Sequence, residues 1–249
     1  MRLGGITDMS TVDWYGNVSL VAFFAGCNFR CPYCQNSGLI PAGSGEDVDP
    51  GTLQHRIEAN LSLLDSIVLT GGEPLLQPDG VTETAEIARE LGLGIMLDTN
   101  GSRPEALDRL LEEDLVDRVA LDVKAPLSAA DYGGVIGLPR LGSEMAAAVG
   151  RTLELCDGRG IEVEVRTTVA PTLSDDPEFI GRIASSIRDM CDVYYLQQFD
   201  NTGDVLDPRL GGMKPSDREA MLLLADAALD EGVENVFIKT REFGLERAG

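Results

Sequence analysis

The chain has 249 residues, 43% of them apolar, enough for one sizeable α/β core but with no uninterrupted apolar run of about 18 residues that could cross a membrane. Its 42 Asp and Glu outnumber its 20 Lys and Arg, giving a formal net charge of -22. With no basic cluster to oppose that field, a nucleic-acid backbone is excluded as a partner. The opening residues, MRLGGITDMSTVDW, have neither the basic start nor the apolar stretch of a signal peptide, so a cytoplasmic location is expected. The acidic residues are spread over predicted helices, as on a well-solvated surface or in a salt-rich cytoplasm.

In chain order, β-rich apolar runs are expected as strands at 18–24, 66–70, 94–98, 119–123, 161–169, 193–199 and 235–239. Helical patterns fall between them near 52–65, 81–91, 104–113, 143–159, 176–190 and 216–231. This alternation predicts βαβ units and a parallel sheet. The expected fold is α/β, a partial (β/α)6-type TIM barrel of parallel strands with outer helices; a doubly wound sheet is the competitor. One domain is expected over 1–249, with an N-terminal extension at 1–17 and the barrel at 18–240. Segments 38–51 and 125–142 read as Gly/Pro-rich loops.

In either architecture chemistry gathers at the carboxyl ends of the strands. After the first predicted strand comes FAGCNFRCPYCQN, which holds Cys27, Cys31 and Cys34 in a C-x3-C-x2-C pattern. Gly71-Gly72-Glu73-Pro74 follows the second strand, Asp98-Thr99-Asn100-Gly101 closes the third, and Asp122 and Lys124 end the fourth. By strand alternation Ala120, Asp122 and Lys124 share one face, as do Glu164, Arg166 and Thr168, so the polar sets point into the barrel. An internal salt bridge is the plain alternative to a ligand contact there. Gln198 ends the sixth strand.

A structural zinc site wants four protein ligands, usually as two pairs, and no second pair exists. A [4Fe–4S] cluster held by three cysteines leaves one iron open to a substrate or cofactor. The one histidine, His55, falls on a predicted helix face. Cys156 and Cys191 read as small buried hydrophobes.

The cysteine spacing, with the aromatic Tyr33 before the last cysteine, resembles the signature of the radical S-adenosylmethionine (SAM) superfamily, and GGEP resembles its second motif. The resemblance implies that SAM itself completes the cluster. It further implies SAM contacts from Tyr33, Gly71, Gly72, Glu73, Pro74, Asp98, Asn100, Asp122, Lys124, Arg166 and Gln198. Residues 10–36, with DTNG, LDVKAP, RTTVAP and YYLQQF in order, are similar to glycyl-radical-enzyme activases, and most closely to the activating proteins of anaerobic ribonucleotide reductases. Gln35 and Tyr15 depart from the residues common in that group, His and Pro. The implied reaction is reductive cleavage of SAM followed by abstraction of hydrogen from a glycine Cα of a partner glycyl radical enzyme, with a low-potential donor such as ferredoxin or flavodoxin. Loops 38–51 and 125–142 are the expected docking surface. The alternatives are a radical SAM enzyme acting on a small molecule, similar to carboxydeazaguanine synthases, and a non-catalytic iron–sulfur electron carrier.

Overall fold

The computed structural model describes residues 1–203 and 205–249; for Ala129 and Ala130 it describes the backbone only. The chain divides into two compact units: Met1–Asn28, Gly38–Thr99 and Arg103–Ala120 form the first, and Phe29–Ser37, Asn100–Ser102 and Leu121–Gly249 the second. Within each, parallel strands alternate with helices.

The first unit opens with β1 (Arg2–Ser10) and β2 (Ser19–Phe24), which pair antiparallel, and β3 (Glu46–Asp47), which pairs antiparallel with β1. Next come α1 (Pro50–Asn60), β4 (Ser66–Gly71), α2 (Pro78–Glu90), β5 (Gly94–Thr99) and α3 (Pro104–Glu112). β2, β4 and β5 run parallel in that spatial order, with Val21 opposite Val68 and Val68 opposite Met96. These residues join Ala120 in one buried layer, with Trp14 and Phe23 packed against it. Thr70 pairs with Phe23 one step along the same face, so Thr70 and Asp98 rise above an apolar floor. β6 (Arg118–Asp122) carries the chain from the first unit into the second.

The second unit continues with α4 (Ala129–Val135), α5 (Gly142–Arg159), β7 (Glu162–Val169), α6 (Pro177–Ile187), β8 (Val193–Gln198), α7 (Pro208–Gly211), α8 (Arg218–Asp230), β9 (Val236–Thr240) and β10 (Gly244–Arg247). β7, β8 and β9 are parallel neighbours, and β10 closes antiparallel on β9. α6 and α8 are capped by the side chains of Asp176 and Asp217, each accepting from a backbone N–H in the first turn.

Every strand and helix expected from the sequence is present, with ends shifted by a few residues. The expected helix over 52–65 stops at Asn60. Asp65 cannot be helical: its N–H donates to Val18 O at 2.8 Å and its carboxylate accepts from Val18 N at 2.8 Å, tying it to the chain just before β2. Residues 1–17 hold a nine-residue strand where the sequence suggested only an extension. The apolar residues of β1, Leu3, Ile6 and Met9, fall three apart, so no period-2 alternation marks the strand in the sequence. Segment 125–142 contains α4, hidden in sequence by two consecutive glycines.

Candidate active site

In the first unit β2 runs into the arm that carries Cys27. Main-chain bonds fix this arm: Ala25 N–H to Arg2 O at 3.0 Å, Gly26 N–H to Leu39 O at 2.7 Å and Cys27 N–H to Ile40 O at 3.1 Å. The turn after β4 bonds to the same arm, with Gly72 N–H donating to Phe24 O at 2.9 Å and Glu73 N–H to Gly26 O at 2.8 Å. The close approach explains both glycines. Gly71 has φ +131, and a Cβ there would fall on Phe24 O; a Cβ on Gly72 would fall on Gly26 O and lie 3.1 Å from Cys27 Cβ.

Glu73 is fully buried. Its Oε1 accepts from Leu75 N at 3.1 Å and from Thr99 Oγ1 at 2.8 Å. The carboxylate therefore caps the short 3-10 turn that begins at buried Pro74 and links the end of β4 to the end of β5. Asp98 is half-buried one residue before Thr99.

In the second unit the rest of the cysteine loop is pinned from two sides. Arg30 N–H donates to Ile136 O at 2.9 Å, just past α4; Asp207 N–H donates to Pro32 O at 2.8 Å and Leu206 N–H to Cys34 O at 3.2 Å, just before α7. Phe29, Cys31 and Tyr33 are buried, and Cys34 is half-buried. Burial pushes the Cys34 thiol above its ordinary value. The buried Tyr33 hydroxyl has no hydrogen-bond partner among the described residues, and burial pushes its pKa well up.

Lys124 Nζ meets Asp122 Oδ2 at 2.7 Å. Burial pulls the Lys124 ammonium down, but the Asp122 carboxylate, with Tyr33 and Cys31, more than offsets this and leaves it well above its usual value. Arg166 is paired with Glu164, and both side chains are almost fully enclosed. Asn100 is committed to its own turn, its Oδ1 accepting from Ser102 N at 3.0 Å. Gln198 uses both ends of its amide, donating to Ser216 O at 2.7 Å and accepting from Arg241 N at 2.9 Å.

The second unit thus brings together Cys31, Cys34, Tyr33, Asp122 and Lys124, while Asn100 and Gln198 act first as main-chain braces. Two further features were not expected from the sequence as such. Tyr132, on the unexpected α4, is fully buried and electrostatically coupled to Lys124, Cys31 and Asp122. A polar cavity of about 290 Å³ lies between the ends of β7, β8 and β9, with Gln35, Thr168, Gln197 and Lys239 in its wall; only strand alternation could have hinted at it. His55 is exposed on α1 and meets Glu58, the helix-face position the sequence suggested. Cys156 is buried in α5 as expected, whereas Cys191 is only half-buried in the connection before β8; burial raises both thiols to about 12.

Among the described residues no three Cys, His, Asp or Glu side chains already form a metal cage. The fit to an iron–sulfur cluster rests instead on the donors: three cysteines within eight residues, on a backbone held at Cys27, Arg30, Pro32 and Cys34. Residues 21–182 match the family model of the radical SAM superfamily. The chain is a radical SAM protein. It is 34% identical over 240 residues to a Methanocaldococcus jannaschii protein provisionally named a glycyl-radical enzyme activating enzyme, covering 96% of this chain and 95% of that one. It is 26% identical to the pyruvate formate-lyase 1-activating enzyme of Escherichia coli K12, covering 88% and 92%. Within the superfamily it belongs with the glycyl-radical-enzyme activating enzymes. A radical SAM methyltransferase from Sphaerobacter thermophilus shares the fold, with a TM-score of 0.70 over 91% of this chain and 67% of that one, at 16% identity. The expected fold class, parallel α/β of the partial-barrel type, agrees with this likeness. The expected [4Fe–4S] cluster and SAM are the cofactors of the radical SAM family. No helix among the described residues is long and apolar enough to cross a membrane.

Proposed function

We propose that this radical SAM protein activates an anaerobic ribonucleotide reductase by generating a glycyl radical on it, and that the whole chain works as one radical SAM domain in the cytoplasm. The observation that carries the activase reading is the near full-length likeness to a glycyl-radical enzyme activating enzyme. The choice of reductase rests on the motif order DTNG, LDVKAP, RTTVAP and YYLQQF in the sequence.

When bound, the reduced cluster and SAM supply a radical able to take a hydrogen atom from a glycine Cα. The chain binds and orients these groups and excludes water. Cys27, Cys31 and Cys34 are the proposed ligands of three irons. Buried Phe29 and Tyr33 keep solvent from that loop, and the Tyr33 hydroxyl is available to a ligand oxygen. Gly71, Gly72 and Pro74 shape a close-approach turn that would let SAM meet bare backbone, with Glu73 holding the turn and Asp98 beside it for the SAM amino group. Lys124 and the more exposed Asp122 form a half-buried pair suited to the ribose or carboxylate of SAM, and Arg166 is a second cation for the carboxylate. Asn100 and Gln198 would contribute from braced positions. A low-potential ferredoxin or flavodoxin is the proposed electron source.

The test is anaerobic. Reconstituted, reduced protein is mixed with SAM and separately with purified anaerobic ribonucleotide reductase and pyruvate formate-lyase. A glycyl-radical signal in the reductase supports the proposal. A signal in the lyase alone moves the partner assignment. SAM cleavage with no signal in either favours a small-molecule substrate.

A further inference from the structure

Besides its internal bond from Cys34 N–H to Cys31 O at 3.0 Å, the cysteine loop is braced by other segments. Between Phe29 and Ser37 its recorded main-chain bonds to other segments run to two places, Ile136 and Leu206–Asp207. At the first, α4 ends in a tight reversal: Leu138 N–H donates back to Gly133 O at 2.8 Å and Gly137 N–H to Gly134 O at 3.3 Å, with Gly137 left-handed at φ +70. These two bonds and the left-handed residue make a Schellman stop. The stop is not free-standing. A Cβ on Gly137 would fall on Arg30 O and within 3.1 Å of Arg30 Cβ. Arg30 N–H in turn bonds Ile136 O at 2.9 Å. Gly137 therefore lies against the peptide that leads into Cys31, as Gly72 lies against the one that leads into Cys27.

We infer that Gly137, with the backbone amides of Leu206 and Asp207, is a positioning clamp that sets the Cys31 and Cys34 thiols for the iron–sulfur cluster. The inference rests on the reading that these cysteines hold that cluster. Glycine is needed at 137 for two separable reasons, the left-handed backbone and the contact with Arg30. Gly160 separates them: it ends α5 at φ +65, and a Cβ there meets nothing within 4 Å. Asparagine tolerates the left-handed region, so Gly160→Asn carries the backbone term alone and Gly137→Asn carries both.

The experiment compares wild type, Gly137→Asn and Gly160→Asn after anaerobic reconstitution. Iron and sulfide content, the rate of iron loss to a chelator, the electron paramagnetic resonance spectrum of the reduced cluster and the melting curve of the metal-free chain are recorded for each. The expected result is iron loss about 10-fold faster or more in Gly137→Asn with an altered spectrum, while Gly160→Asn keeps wild-type values for both. If Gly137→Asn shows no folded transition, Leu206→Pro tests the other arm. It deletes the amide donated to Cys34 O at an exposed position and should also accelerate iron loss. Wild-type iron loss and spectrum in Gly137→Asn, or in Leu206→Pro where it stands in, would overturn the clamp. A wild-type protein that binds no iron–sulfur cluster at all would overturn the reading beneath it, and the clamp with it.

Discussion

The Thr99 hydroxyl donates to Glu73 Oε1 at 2.8 Å, both side chains buried, so the carboxylate of the GGEP turn is anchored to the end of the neighbouring strand. Thr99→Val keeps the volume and removes the donor. It leaves Leu75 N–H as the other bond recorded to that oxygen, at a cost of about 1–3 kcal/mol. Glu73→Gln keeps an acceptor in place and should lose less. Urea unfolding of the metal-free chain measures both; a Thr99→Val midpoint equal to wild type would show that the bond does not hold the turn.

Glu164 and Arg166 make an enclosed ion pair two residues apart on β7, with side-chain exposures of 3% and 13%. Removing one partner from such a pair costs about 3–5 kcal/mol, because the other charge stays buried. Glu164→Gln should therefore unfold earlier, whereas Glu164→Leu combined with Arg166→Met should recover much of the loss. If Arg166 also meets the SAM carboxylate, Glu164→Gln keeps SAM affinity and Arg166→Met loses it. Equilibrium dialysis of SAM separates these roles, and equal affinities in both variants would remove Arg166 from the SAM site.

Asp131, in the first turn of α4, accepts from Arg182 Nη1 at 2.6 Å and from Ser128 Oγ at 2.9 Å. Burial raises its carboxyl pKa, but Arg182 and Ser128 outweigh this and hold it below the ordinary value. A depressed folded-state pKa stabilises above the unfolded value of about 3.9, and the contribution disappears as pH falls through the folded value. Asp131→Asn should melt below wild type near neutral pH, and the gap should close under acid conditions. A gap unchanged at low pH would assign the effect to something other than the charge.

Much of the site was legible because its chemistry is local in sequence. Cys27, Cys31 and Cys34 sit within eight residues, and Gly71–Pro74 follow closely on the apolar run Ile67-Val68-Leu69. The Asp122–Lys124 face followed from strand parity, though parity could not show that the two side chains bond each other. What was hidden depends on partners far along the chain. Glu73 reads as a ligand in sequence, and only the fold shows Thr99 and Leu75 N–H already on its carboxylate. Segment 125–142 reads as a docking loop, yet Ile136 and Gly137 brace Arg30, so replacing the segment would disturb the cysteine loop itself. β1 escaped because its apolar residues, Leu3, Ile6 and Met9, are spaced by three and give no period-2 pattern.

Trp14, the one tryptophan in the chain, covers the apolar layer of Val21, Val68, Met96 and Ala120 from the connection between β1 and β2. It rests on Gly94, where a Cβ would meet the indole ring at 3.3 and 3.4 Å. One methyl group needs a shift of only a few tenths of an ångström, so Gly94→Ala should keep wild-type stability and tryptophan emission. Gly94→Val adds two methyl groups beyond a Cβ that already presses on the ring and should lift the indole, shifting its emission to the red and costing about 1–3 kcal/mol. Trp14→Ala uncovers the layer and should cost more, toward the lower end of about 3–5 kcal/mol because the ring is only partly buried. Fluorescence and urea unfolding on one sample read both effects. Unmoved emission in Gly94→Val would show that the indole does not rest on this glycine.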